Sequence, residues 1–168
     1  MMSQKTGIFA WVVALLAMGS VTIGQESLKE VVEQEGFEWL AGHWKATTDN
    51  GDIVLTYQWA VNGHALMTSF AMGDRSSQGM IYLVAEEEQV RQLTVDSQGR
   101  AIKATWEADG RKAVSKTQMT NEDGEVRDVG FVYSKVDDAT MKVVGYGLEN
   151  GELSYDPWFE LSFKRQKK

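Results

Sequence analysis

Cysteine is absent from the 168 residues. Disulfides, thiolate chemistry and cysteine-type zinc sites are thereby excluded. Histidine is scarce. His43 and His64 are the two in the chain, and none follows His64. A histidine-ligated metal or haem, or a histidine general base, therefore has two candidate positions. Positive charge is also short: 17 Lys and Arg stand against 24 Asp and Glu, for a formal net charge of −7. A nucleic-acid binder needs a basic face that displaces counterions, so no nucleic-acid partner is expected. The same charge disfavours docking on anionic lipid.

What the chain does have is apolar residues, 43 % of the total, enough for a sizeable core in one domain. The first of them are concentrated. Met1 to Thr6 carries one cation, Lys5, and no acid. Gly7 to Ile23 is an almost unbroken apolar run, and the small residues Gly19, Ser20 and Gly24 precede the first acid, Glu26. That is the three-part layout of a secretory signal over 1–24, with 25–168 as the mature domain. It implies export to the periplasm or the medium, and no stable membrane insertion once the segment is removed. The alternative is a retained anchor, since the run approaches the ~17-residue lower limit for spanning a bilayer.

One helix is expected, over Ser27 to Glu35. Leu28, Val31 and Val32 recur at helical spacing, Ser27 with Glu30 forms a capping box, and Gly36 ends it. It is too short to be stable alone and must rest on something larger.

From His43 onward the period switches to two. Strands are expected over Gly42–Thr48, Asp52–Ala60, His64–Met72, Gly79–Ala85, Gln89–Asp96, Ala101–Glu107, Arg111–Thr120, Val126–Val136, Met141–Gly147 and Trp158–Lys164. Asn62-Gly63 and Asp109-Gly110 signal tight hairpins, and Gly73 to Ser77 reads as a loop. The fold class is all-β: about ten short antiparallel strands in an up-and-down meander, with one short N-terminal plug helix. Closing the sheet into a barrel removes exposed edges and an uncovered apolar face.

Between helix and first strand lies Trp39-Leu40-Ala41-Gly42-His43-Trp44. Together with the strand order and the ending Phe163-Lys164-Arg165, it resembles the lipocalin (calycin) superfamily. It is most similar to the lipocalin-like domains of uncharacterised exported bacterial proteins. The resemblance implies that Trp44 lies at the closed end of the barrel and that Arg165 packs on it, with Trp39 and Gly42 completing the closure. Some small ten-stranded barrels related to this class bind haem through a histidine on a late strand. No residue here matches that histidine, and His43 and His64 both lie early.

A barrel of this strand number encloses room for one small ligand. Tyr57, Trp59, Phe70, Trp106, Tyr133, Tyr146 and Trp158 are candidate lining residues, with tyrosine hydroxyls fixing a polar end. Arg91 and Arg127 are candidates for an acidic guest. Paired carboxylates (Glu86 to Glu88, Glu122-Asp123, Asp137-Asp138) all fall in expected turns, where solvation explains them. No nucleophile elbow is present, and Gly145-Tyr146-Gly147 has no helix behind it to make a phosphate loop. The expected function is therefore a non-catalytic barrel that binds or carries a small apolar or amphipathic molecule, with no cofactor and no catalytic residue assigned. The alternatives are an enzyme on the same scaffold using acid–base chemistry, a haem-binding barrel, and a filled structural or interaction domain.

Overall fold

The computed structural model describes residues 26–120 and 123–167. The signal-like segment over 1–24 lies outside the described residues. Helix α1 spans Leu28–Gln34. Its capping box forms as the sequence implies: the Ser27 hydroxyl accepts from the Glu30 amide, and the Glu30 carboxylate accepts from the Ser27 amide at 2.7 Å. Leu28 is fully buried and anchors the helix to the core.

Ten strands follow: β1 Gly42–Thr48, β2 Gly51–Ala60, β3 Ala65–Met72, β4 Arg75–Val84, β5 Gln89–Asp96, β6 Ala101–Asp109, β7 Lys112–Thr120, β8 Val126–Asp137, β9 Thr140–Glu149 and β10 Glu152–Arg165. Each pairs antiparallel with the next in sequence. The last pairs antiparallel with the first through Trp44↔Arg165 and Lys45↔Lys164, so the sheet is a closed barrel. No described strand is left with an open edge, which is what closure achieves physically.

One end is plugged. A 3-10 turn over Glu38–Leu40 inserts Trp39 and Leu40 into the core beside Phe37. Trp44 is fully buried below it and donates its indole N–H to the Leu40 carbonyl at 2.9 Å. The Arg165 guanidinium lies 4.1 Å from the centre of the Trp44 ring. It donates to the carbonyls of Ala41 at 2.8 Å, Trp39 at 2.7 Å and Asp138 at 3.1 Å. One planar cation thus ties the plug, the first strand and the last turn before β9 together. Gly42 makes this possible. Its φ of +148° suits glycine, and a Cβ there would overlap the guanidinium.

Three local expectations are corrected. Asn62-Gly63 is not a two-residue hairpin. Ala60 pairs with Ala65, leaving a four-residue connection with a 3-10 turn over Val61–Gly63, and Gly63 is pressed against the Lys29 side chain of α1. Gly73 to Ser77 is not a loop, because Met72 pairs with Arg75 around Gly73-Asp74 and β4 begins at once. The last strand begins at Glu152, six residues before Trp158. Pro157 lacks an N–H, and the register shifts on both sides of it.

Candidate functional site: the barrel lumen

Strand register decides which side chains share the inner face, since residues paired across a ladder point the same way. Starting from the buried Trp44, one row runs Leu55, Phe70, Ser77, Asp96. A second runs Tyr57, Thr68, Gly79, Thr94, Ile102. A third runs Trp59, Leu66, Ile81, Gln92, Ala104, Thr117, Val129, Gly147. A fourth links Trp106, Ser115, Phe131, Gly145 and Phe159.

Beneath the plug the interior is sealed: Trp44, Leu66, Ile81, Met141 and Phe163 are each at most 4 % exposed. Toward the mouth the inner face is mixed, with Ile53, Thr94, Ser115 and Val129 still buried. Thr68, Phe70, Met72, Ala104, Phe131 and Leu161 all keep intermediate exposure. In a closed sheet an inward side chain meets solvent through the lumen or its mouth, so this residual exposure means the inner face is partly accessible. Small residues explain it. Ser77, Ala104 and Thr117 occupy inner positions that larger side chains would otherwise fill. Gly145 is a different case, because the Phe159 ring lies directly on it where a Cβ would stand.

Polar groups are few and mutually engaged. The Tyr57 hydroxyl, from β2, lies close to that of Tyr133, from β8. Those strands are not neighbours in the sheet, so the contact crosses the lumen. The Ser115 hydroxyl also lies close to that of Tyr133. The Trp106 ring packs on Tyr133 with centroids 5.0 Å apart. Its N–H donates to the Gln92 side-chain oxygen at 2.8 Å, and the Gln92 amide donates to the Thr94 hydroxyl at 2.8 Å. The result is a hydrogen-bonded aromatic layer on the plug side of the lumen.

Burial pushes both tyrosine hydroxyls above the ordinary phenol range, Tyr57 more strongly; at Tyr133 the nearby hydroxyls of Ser115 and Tyr57 offset part of it. Both are therefore neutral donors at physiological pH. The sign for stability follows. Below the unfolded-state pKa of ~10 neither tyrosine costs anything, and above it the unfolded chain ionises first, so stability falls as pH rises. Tyrosinate absorbance against pH should show Tyr57 and Tyr133 ionising only as the barrel unfolds. Tyr57→Phe and Tyr133→Phe should each remove one late-ionising group. Early ionisation of either in the folded protein would contradict the buried pair.

Of the lining candidates, Tyr57, Trp59, Phe70, Trp106 and Tyr133 sit on the inner face. Tyr146 does not: it pairs with Gly130 between the inward Gly145 and Gly147, and so points outward. Arg91 also faces out. It lies between the inward Val90 and Gln92 and bonds Gln89 at 2.8 Å and Glu87. Arg127 has inward parity but stands at the rim opposite the plug, paired with Glu125 at 2.8 Å. Trp158 is at the same rim, its ring beside Gly147. Met119, Thr120, Arg127, Val129 and Trp158 line a cleft of about 310 Å³ there. His43 faces outward, 3.2 Å from the Thr56 hydroxyl, and His64 closes the turn before β3. Among the described residues no group of three His, Asp or Glu is placed to hold a metal.

The inner face also lacks charge between its rims. Arg75, Asp96, Arg127, Glu149 and Glu152 have inward parity but lie at strand ends around the mouth; Lys135 and Arg165 lie at the plug. Asp96 is spent on its own turn, accepting from the Gln98 and Arg100 amides and the Arg100 side chain. Gln92, Thr94 and Ser115 were not singled out by sequence, where nothing but strand parity distinguishes them from surface polar residues. No protein-family model matches the chain, and no curated protein matches it in sequence.

Proposed function

We propose that this protein is an exported, lipocalin-like β-barrel that binds or carries a small, largely apolar molecule without transforming it. The observation that carries the reading is the partly accessible inner face, apolar over most of its area, in a sheet closed on all sides. A concave apolar surface with a few converging polar groups is the usual form of a small-molecule site. The rim cleft beside Trp158 is its entrance in this reading. The six-residue motif around Gly42 and the Trp44–Arg165 stack support the lipocalin-like assignment.

Nile red, an uncharged apolar dye, tests it. The protein should bind the dye with enhanced emission. Ala104→Phe, which places a ring on the inner wall, should weaken binding at least tenfold with little change in far-UV circular dichroism. Equal binding by both proteins would place the dye outside the lumen and sink the proposal. Export is checked separately: the secreted fraction should contain a chain shortened by residues 1–24, read by intact mass.

A further inference from the structure

One half of the barrel's outer wall carries almost no charge and leaves its apolar residues open. We propose that this face, formed by β2 to β5, is the contact surface of a symmetric dimer with a second copy of this chain. The proposal goes beyond the lumen reading and does not depend on it.

Strand parity sorts the outer face as it does the inner. On β3 and β4 no outward position is charged. On β2 and β5 two are, Asp52 and Arg91. Each is already engaged on its own barrel, Asp52 by Lys45 at 2.6 Å and Arg91 by Glu87. The opposite half-cylinder is built differently. Its outward valines, Val114, Val132 and Val144, form one row across β7, β8 and β9 and are buried. Glu107 and Glu160 close the two ends of that row, held by Lys116 and Lys142 at 2.8 Å each. Over β2 to β5 the described residues supply no such cover. Met67 and Met80 lie side by side in a row with Leu93, and they are 43 % and 40 % exposed; Val95, in the next row, is 50 % exposed. One chain thus shields its outward apolar residues with ion pairs on one side and leaves them bare on the other. A contiguous bare apolar face marks an interaction surface.

Three features name the partner. Closure of the barrel leaves no strand edge in the described chain, so a partner cannot add a strand and must pack face to face. The polar side chains on the face, among them Thr56, Gln58, Ser69 and Gln78, both donate and accept hydrogen bonds. In a two-fold contact a surface meets itself, and groups of that kind pair with their own copies, whereas like charges would repel. The third feature is charge. The chain carries −7, so two copies repel over most of their surface and least across this face. Its two charges are opposite in sign and stand at diagonal corners, Asp52 at the mouth end of β2 and Arg91 toward the plug end of β5. A two-fold axis along the other diagonal sets Asp52 of one copy beside Arg91 of the other, twice.

Four strands and four outward rows cover about 19 Å by about 27 Å, roughly 500 Å² on each copy and about 1,000 Å² for the pair. That is the lower end of specific interfaces, so the dimer is reversible rather than permanent.

Sedimentation velocity on the purified protein tests this. The chain should pass reversibly from monomer to dimer between about 1 and 300 μM. Met80→Lys places a cation in the middle of the face and should weaken the dimer at least tenfold, with unchanged far-UV circular dichroism. Val136→Lys, at an exposed position of β8, should leave it as it was. Because the chain has no cysteine, a single introduced thiol gives a second readout that does not rely on a charged variant. Bismaleimidoethane should join Met80→Cys chains into a species of twice the mass, and should leave Val136→Cys chains single. A monomer at every concentration would overturn the proposal. A dimer that Met80→Lys leaves at full strength would place the contact elsewhere and overturn it as well. A monomer that instead sediments with phosphatidylcholine vesicles, and no longer does so as Met80→Lys, would assign the face to a lipid surface and overturn the dimer.

Discussion

Trp44→Ala should be the most damaging single substitution in the described chain. Trp44 is fully buried, and its indole is at once a wall of the core and the donor to the Leu40 carbonyl. Removing a buried tryptophan side chain costs about 3–5 kcal/mol through lost contacts and the cavity left behind. The stranded carbonyl adds to that. Against a typical total of about 5–15 kcal/mol, the loss is a large fraction of the stability. Thermal melts followed by circular dichroism should fall by about 10–20 °C, at about 2–4 °C per kcal/mol for a domain of this size. Trp44→Phe should fall less, because it keeps a ring under the guanidinium and gives up the N–H. A melt for Trp44→Ala within a few degrees of the unaltered protein would mean that the plug is held by something else.

Arg165→Ala comes second, for a different reason. The guanidinium stacks on Trp44 and donates to three carbonyls from two separate loops. Its removal leaves the Trp39 and Ala41 carbonyls, both in part-buried bonds, without that donor. We expect a loss of about 2–4 kcal/mol, combining the cation–π contact with the hydrogen bonds. Arg165→Lys should recover less than half, since an ammonium is a point donor and cannot span three carbonyls while lying flat on an indole. The two residues touch, so their effects should not add. The double variant should be less destabilised than the two single losses together, by about 0.5–3 kcal/mol. Strict additivity would show that the stack contributes nothing beyond proximity.

The plug bears on the proposed binding as well as on stability. It seals one end of the lumen, so a barrel loosened there should bind Nile red more weakly even below its melting temperature. The aromatic layer of Tyr57, Tyr133 and Trp106 lies on the plug side, and the approach of Tyr57 to Tyr133 across the lumen needs the two walls held at a constant separation.

Different parts of the fold were legible for different reasons. The capping box of α1 and the alternation of β2 are written in neighbouring residues, and both appear where expected. The turn at Asp109-Gly110 also forms, with Gly110 at φ +57° and Asp109 paired with Lys112. The start of β10 was misplaced because Pro157 reads locally as an interruption. In the barrel the strand continues through it by shifting register. The turn at Asn62-Gly63 was misjudged because its length answers to α1 lying against Gly63, a contact between segments far apart in sequence.

The chain alone determined the strand count and the antiparallel order, because period-two alternation and short turns leave a meander few ways to bury its apolar face, whereas the closing stack of Arg165 on Trp44 was expected only from the resemblance of the Gly42-x-Trp44 motif to lipocalins. Which polar residues line the interior was decided only by tertiary structure. Parity within a strand marks two faces without saying which is inner, and closure is what turned Arg91 and Tyr146 outward while bringing Gln92 and Ser115 inside. The meeting of Tyr57 with Tyr133 belongs to the same class: it joins β2 to β8, which only the curvature of a closed sheet sets face to face across the lumen.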